Sequence, residues 1–203
     1  MKKIIIAIDS FKGCLTSAEA GKAAEKGIKS INPFCHTSVI PIADGGEGLL
    51  DVLITATKGK YITLSAHGPL MKMAKTHYGL SGNGRTAIIE MAAISGLPLV
   101  PIEQRNPMLT TTFGTGELIK DALNKGCRNF IIGIGGSATN DAGLGMLQAL
   151  GFRFLDKSGH TLGTGGQIME AVANIDTSGI HPALRETHFM VACDEANPFY
   201  GPD

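Results

Sequence analysis

The stretch Asn129-Phe130-Ile131-Ile132-Gly133-Ile134-Gly135-Gly136-Ser137-Ala138-Thr139-Asn140-Asp141 decides the fold class. Its first half is an uninterrupted apolar run, the mark of a strand covered on both faces rather than one with a wet side. Its second half holds two glycines, three hydrogen-bonding side chains and a carboxylate, ahead of a helical pattern from about Asp141 to Leu150 that stops at Gly151. A buried strand that opens through such a loop into a helix belongs to a parallel sheet between helix layers.

Other runs repeat the pattern. Lys3–Ile8, Ser38–Ala43, Thr86–Met91 and Thr187–Ala192 read as strands, with weaker ones at Tyr61–Ala66 and Phe152–Leu155. Between them, Thr16 and Glu19 have capping-box spacing, opening a helix whose stripe is Ala20, Ala23, Ala24, Gly27 and Ile28. A second helix runs from Thr115 to Lys125 and ends at Gly126. Between Lys58 and Pro107 short strands and turns such as Gly82-Asn83-Gly84 suggest antiparallel pairing. The expected architecture is α/β: part of a Rossmann-like parallel sheet over residues 1–64, and a second α/β subdomain with a mixed sheet over residues 65–203.

Composition narrows the function. With 18 basic and 18 acidic residues there is no positive field to gather nucleic acid or anionic lipid. No run approaches a membrane span, and the apolar start after Lys2 and Lys3 meets Asp9 too early for a signal sequence. Cys14, Cys35, Cys127 and Cys193 lack zinc spacing and read as reduced, mostly buried thiols of a cytoplasmic protein. Glycine, at 27 of 203 residues, is about twice its usual share and clusters in loops, where backbone must come close to something.

Ligands of open α/β sheets bind beyond the carboxyl ends of the strands. Four such ends here combine glycine or turn residues with ionisable groups: Asp9-Ser10-Phe11-Lys12-Gly13, Asp44-Gly45-Gly46-Glu47-Gly48, Gly135 to Asp141, and Cys193-Asp194-Glu195. The loop Gly135, Gly136, Ser137, Thr139 and Asn140 suits an anion at a helix start, although no Walker A motif exists in the chain. Asp141 suits a magnesium-nucleotide site, and Asp44 and Glu47 suit hydroxyl recognition or complement a helix dipole. Lys12 supplies a cation. Glu90, inside an apolar run, faces a cleft or pairs internally. Thr110, Thr111 and Thr112 read as a helix cap before contacts to ligand. His67, His77, His160, His181 and His188 read as structural or surface residues. A second pattern competes: Gly133, Gly135 and Ala138 satisfy G-x-G-x-x-[GA], with Asp156 further on, as in NAD-dependent dehydrogenases.

Taken in order, Asp9-Ser10-Phe11-Lys12, Pro41 to Gly48, Gly114-Thr115-Gly116-Glu117-Leu118-Ile119, Gly133 to Asp141, and Cys193-Asp194 with Asn197-Pro198 resemble the bacterial type I glycerate kinases. Ile8 and Ala142 depart from residues common there. The resemblance implies ATP, Mg2+ and D-glycerate, with 2-phosphoglycerate as the favoured product. It implies too that further strands of the Rossmann-like domain and further site residues come from sequence beyond Asp203. The expected roles are a phosphate cradle at Gly135 to Asn140, charge neutralisation by Lys12, Mg2+ at Asp141 and Asp194, and glycerate at Asp9, Ser10, Asp44, Gly45, Gly46 and Glu47. Asp194 is equally a candidate base. The 203-residue chain is expected not to complete the reaction alone, to expose edges open to self-association, or to act as a ligand-binding piece without turnover.

Overall fold

A computed structural model describes residues 3–11, 13–46 and 48–193 of the chain. Strands β1 (Lys3–Ile8) and β2 (His36–Pro41) pair in parallel, from Lys3 opposite His36 to Ile8 opposite Pro41. Helix α1 (Ser17–Ile31) crosses between them and starts as its spacing predicts: Thr16 Oγ1 accepts the Glu19 amide while the Glu19 carboxylate accepts the Thr16 amide. Ala20 and Gly21 are buried against the strands, whereas Ala23 and Gly27 of the expected stripe face solvent. Gly21 is dictated by contact, since a Cβ there would come within 2.3 Å of Val39 Cγ1. The opposite face of the pair shows Ile5 and Ile40 to solvent.

The second body begins with α2 (Leu49–Thr57). It continues through β3 (Lys60–His67), β4 (Met73–Leu80), β5 (Thr86–Glu90), the single turn α3 (Ala92–Ser95), α4 (Phe113–Asn124), β6 (Asn129–Gly133), α5 (Leu144–Ala149), β7 (Arg153–Leu155), β8 (Asn174–Asp176) and β9 (His188–Ala192). Five strands form one sheet in the order β3-β4-β5-β6-β9, antiparallel through β5 and parallel from β5 to β9. This is the expected mixed sheet. The division at residue 64 falls inside β3, however, and every residue of β3 pairs with β4. Leu50 and Ile54 of α2 also pack on Ile88 of β5.

The core explains which strands were easy to read. Ala87, Ile88 and Ile89 are all buried because β5 has α2 on one face and α4 on the other. Full burial of each isoleucine contributes about 1.5–3 kcal/mol. Leu118, Ile119, Ala122 and Leu123 of α4 close over Tyr78, Phe130 and Ile132. The Tyr78 hydroxyl, drawn inside with its ring, donates to Asp121 at 2.8 Å. Strand β9 differs from expectation: it lies at the sheet edge, with Phe189, Met190 and Val191 exposed at 45%, 65% and 56%. The antiparallel pair β7–β8 forms a separate small sheet. Cys35 and Cys127 are buried, and Cys14 and Cys193 are exposed.

Candidate active site at the strand ends

Three strand ends meet where the chain passes from the first sheet to the second. The Met91 amide, just after β5, donates to the carbonyl of Gly133 at the end of β6. Over them lies the turn Asp44 to Gly46, closed by an Asp44 Oδ1 acceptor for the Gly46 amide at 2.9 Å. A Cβ on Gly133 would stand 2.4 Å from Gly45 O, one on Gly135 2.9 Å from Gly46 Cα, and one on Gly45 2.8 Å from Ala192 O. The glycines therefore let two loops and the end of β9 touch backbone to backbone. They serve close approach, as expected, but to another loop.

Beside this junction lies a cleft of about 480 Å³ between the start of α1 and the α2–β5 corner, lined by Ser10, Thr16, Gly48, Asp51, His77 and Glu90 among others. Glu90 takes both of its expected roles at once. Its Oε1 accepts the Leu50 amide at 2.8 Å in the first turn of α2, and it still faces the cleft. Burial raises its pKa, against the pull of the Leu50 and Gly48 amides. Asp51 accepts the Tyr61 hydroxyl at 2.5 Å, which together with desolvation pushes the phenol up to about 12. His77, read from sequence as structural, meets Tyr61 edge-on and lines the same cleft. Asp9, next to Ser10, accepts the Ser10 amide at 2.6 Å.

The far side of β6 holds a different arrangement. Asp141 is 1% exposed. Its Oδ2 accepts the Thr112 amide at 2.8 Å, the Gly145 amide at 3.2 Å and the Thr111 hydroxyl at 3.3 Å; its Oδ1 accepts the Gly143 amide at 3.1 Å. The Thr112 hydroxyl stands within 3.1 Å of both oxygens and accepts the Met146 amide at 2.9 Å. These bonds change two expectations. The helix start proposed as an anion site is a six-residue helix whose leading amides already meet Asp141 and Thr112. Both oxygens of Asp141 are engaged by these donors, and it lines a cavity of about 310 Å³ behind β6 rather than the cleft with Ser10 and Glu90. Thr111 and Thr112 join this hub, and Thr112, at the N-cap of α4, makes no side-chain cap bond.

The loop ahead of Asp141 is braced as well. Ser137 Oγ and Thr139 Oγ1 lie 2.7 Å apart, and the Thr139 amide donates to Ser137 Oγ. Gly135, Gly136 and Asn140 are exposed. Lys12, Glu47 and Asp194 lie outside the described residues. Among the described residues, no group of three or more His, Cys, Asp or Glu is placed to hold a metal ion.

The dinucleotide reading fails on this geometry. Gly133 and Gly135 are used against Gly45 and Gly46, and the next helix waits until Leu144. Asp156 closes an exposed turn by accepting the Ser158 and His160 amides. Of the other histidines, His67 Nδ1 meets Glu117 at 2.9 Å, His181 Nε2 meets Asn124 at 3.0 Å, and His160 pairs with Asp156, in keeping with structural roles.

Parallel strands whose carboxyl ends carry glycine turns, a half-buried glutamate and a hydroxyl-bearing loop beside ligand-sized clefts define an α/β fold of the kind that binds small molecules at its strand ends. The Glycerate kinase family profile matches residues 4–203. The chain belongs to the glycerate kinase family. It is 53% identical over 200 residues to a glycerate kinase of Bacillus subtilis strain 168, covering 98% of this chain and 52% of the relative. It is 49% identical to the glycerate 2-kinase of Escherichia coli K12, with 98% and 52% covered. A crystal structure assigned as a glycerate kinase 2 from Salmonella typhimurium LT2 superposes with a TM-score of 0.89 at 48% identity, covering 98% of this chain and 54% of that one. The chain thus spans about half the length of the curated relatives it matches. Among the described residues no helix is long and apolar enough to cross a membrane.

Proposed function

We propose that this chain forms the glycerate-facing part of a cytoplasmic enzyme that moves the γ-phosphoryl group of ATP to a hydroxyl of D-glycerate, with the 2-hydroxyl as acceptor. The observation that carries this reading is the seating of the Gly45–Gly46 turn on Gly133, Gly135 and Ala192. It sets the turn that leads into α2, whose Leu50 and Asp51 wall the cleft with Ser10 and Glu90, against the end of β6 and Gly135. The relatives' names support glycerate as substrate, and the Escherichia coli name supports the 2-position.

In the proposed site, Ser10, Asp44 and Glu90 accept or donate to the hydroxyls of glycerate, with Gly45 and Gly46 setting their backbone. Gly135, Gly136, Ser137, Thr139 and Asn140 face the phosphates. Transfer forms a bond from the attacking hydroxyl oxygen to the γ-phosphorus as the bridging bond to ADP breaks, and the hydroxyl proton leaves. Positioning and charge neutralisation are what such a reaction asks of a protein. Mg2+, when bound, neutralises phosphate charge. Asp141 acts as the anchor of the loop, and Lys12, Glu47 and Asp194 are the remaining candidates for cation, hydroxyl acceptor and base or metal ligand.

The test compares this chain with one extended to the length of the relatives, measuring ADP release on addition of D-glycerate and magnesium ATP and locating the phosphate by phosphorus NMR. We expect glycerate-dependent turnover and 2-phosphoglycerate from the extended chain, and a KM for glycerate raised about tenfold by Glu90→Ala, the loss of one charged hydrogen bond. No glycerate-dependent ADP from the extended chain defeats the proposal.

A further inference from the structure

We propose that the cavity holding Arg105, Ser137 and Thr139 is a distinct oxyanion subsite for the polyphosphate tail of a nucleotide. This deepens the proposed function and rests on it. The loop Ser137 to Thr139 offers hydroxyls but no charge, and the described lining of the cleft with Asp51 and Glu90 is acidic. A third cavity, of about 230 Å³, lies against the same loop and carries Arg105, Asn106, Ser137 and Thr139 in its wall. It contains no carboxylate. The cleft at β5 and the cavity behind β6 both do, and among their described residues neither has a lysine or arginine.

Arg105 is positioned rather than merely nearby. It follows a short 3₁₀ turn, Ile102–Gln104, and its Nε donates to the Val100 carbonyl at 3.3 Å. That bond fixes one edge of the guanidinium and leaves its terminal amino groups for a ligand. Among the described residues no carboxylate lies within ion-pair distance of it. The two strips of chain that flank Arg105 are tied to the loop after β6. Leu97 N donates to Gly136 O at 3.0 Å, Ala138 N donates to Ser95 O at 2.9 Å, and Thr110 Oγ1 donates to Ala138 O at 2.8 Å. Asn106 closes its own turn, accepting the Met108 amide on Oδ1 and the Thr110 amide on its carbonyl. A cation and two hydroxyls from segments about thirty residues apart in sequence thus line one cavity whose walls are cross-bonded. A fixed guanidinium beside hydroxyl donors is matched to phosphate oxygens.

The test titrates the chain with sodium tripolyphosphate and, separately, with D-glycerate at constant ionic strength, following backbone amides by NMR. Tripolyphosphate is expected to shift residues 105–110 and 136–140. Arg105→Gln is expected to weaken its binding about tenfold to a hundredfold, and Arg105→Lys to retain part of it. Because Arg105 is exposed, both variants should unfold at the wild-type temperature. Unchanged tripolyphosphate affinity in Arg105→Gln, shifts confined to residues 10–19, or shifts at 105–110 produced by D-glycerate alone each overturn the subsite. If the extended chain phosphorylates glycerate while Arg105→Gln leaves the KM for ATP unchanged, the subsite is wrong and the function stands. If the extended chain makes no phosphoglycerate while tripolyphosphate still maps to Arg105, the function is wrong and the subsite stands.

Discussion

Glu90 ends strand β5 and Asp141 closes the loop that follows the neighbouring strand β6, and both are carboxylates held by backbone amides, yet they live in opposite circumstances. Asp141 is 1% exposed, with two hydroxyls and three amides within bonding distance, and it lines the cavity behind β6 rather than the cleft with Ser10. Glu90 accepts the Leu50 amide and remains half-buried at the wall of the cleft with Ser10. A carboxylate with its acceptor sites filled holds a fold together. One held at an edge, with capacity to spare, is placed to meet a ligand. The difference assigns Asp141 to stability and Glu90 to recognition.

The largest expected effect tests the first half of that contrast. Asp141→Ala leaves the Thr112, Gly143 and Gly145 amides without their acceptor, and each buried orphan costs about 1–3 kcal/mol, so a loss of at least about 3 kcal/mol is expected in urea denaturation. Asp141→Asn keeps the shape but turns an amino group toward donors, for a loss of about 2 kcal/mol. A loss below about 1 kcal/mol in Asp141→Ala would remove the hub from the account. Next comes the contact that joins the two regions. Gly133→Ala forces a methyl to 2.4 Å from Gly45 O and 2.8 Å from Leu49 Cδ2, with an expected cost of about 1–3 kcal/mol. Its readout at the site is movement of the Gly45 and Gly46 amide resonances. If those stay in place, the turn is not seated on β6. Smaller still, Thr16→Ala removes the capping box that builds one wall of the cleft and should cost about 1 kcal/mol, without shifting the amides around Asp141.

How much of this could be read from the residues alone depended on distance in sequence. Strand β5 was legible because its apolar run reflects helix cover on both faces, β1 and β6 were legible from runs of the same kind although β1 shows Ile5 to solvent, and α1 was legible because Thr16 and Glu19 are only three residues apart. The fate of Asp141 was not, since the groups that engage it include Thr111 and Thr112, about thirty residues earlier. Nor was the partner of the glycines: Gly133 and Gly135 announce a close approach but not that Gly45 and Gly46 are what approaches. Strands β7 and β8, three residues each, are too short to show a period. The run at β9 looked like a covered strand, but hydrophobicity alone does not say which strand lies at the edge. Arg105 sits in an exposed irregular stretch with no pattern to single it out, and only the cross-bonding of 95–97 and 110 to 136–138 brings it to the loop.

The smallest expected effect probes Glu90 through pH. Burial places its pKa in the folded chain above the ordinary carboxylate value, so the folded state keeps the proton to higher pH than the unfolded state does. The stability linked to this proton is fully present below the unfolded pKa and is lost as pH rises through the folded one. Glu90→Gln cannot ionise but can still accept the Leu50 amide. Its stability should therefore equal that of the wild type near about pH 4 and exceed it progressively toward about pH 7, by under about 1 kcal/mol because the cleft is open to solvent. Thermal unfolding of the two chains across this range supplies the difference. A gap that stays constant, or narrows as pH rises, would mean that Glu90 is as fully compensated as Asp141, and the contrast between the two carboxylates would lose its physical basis.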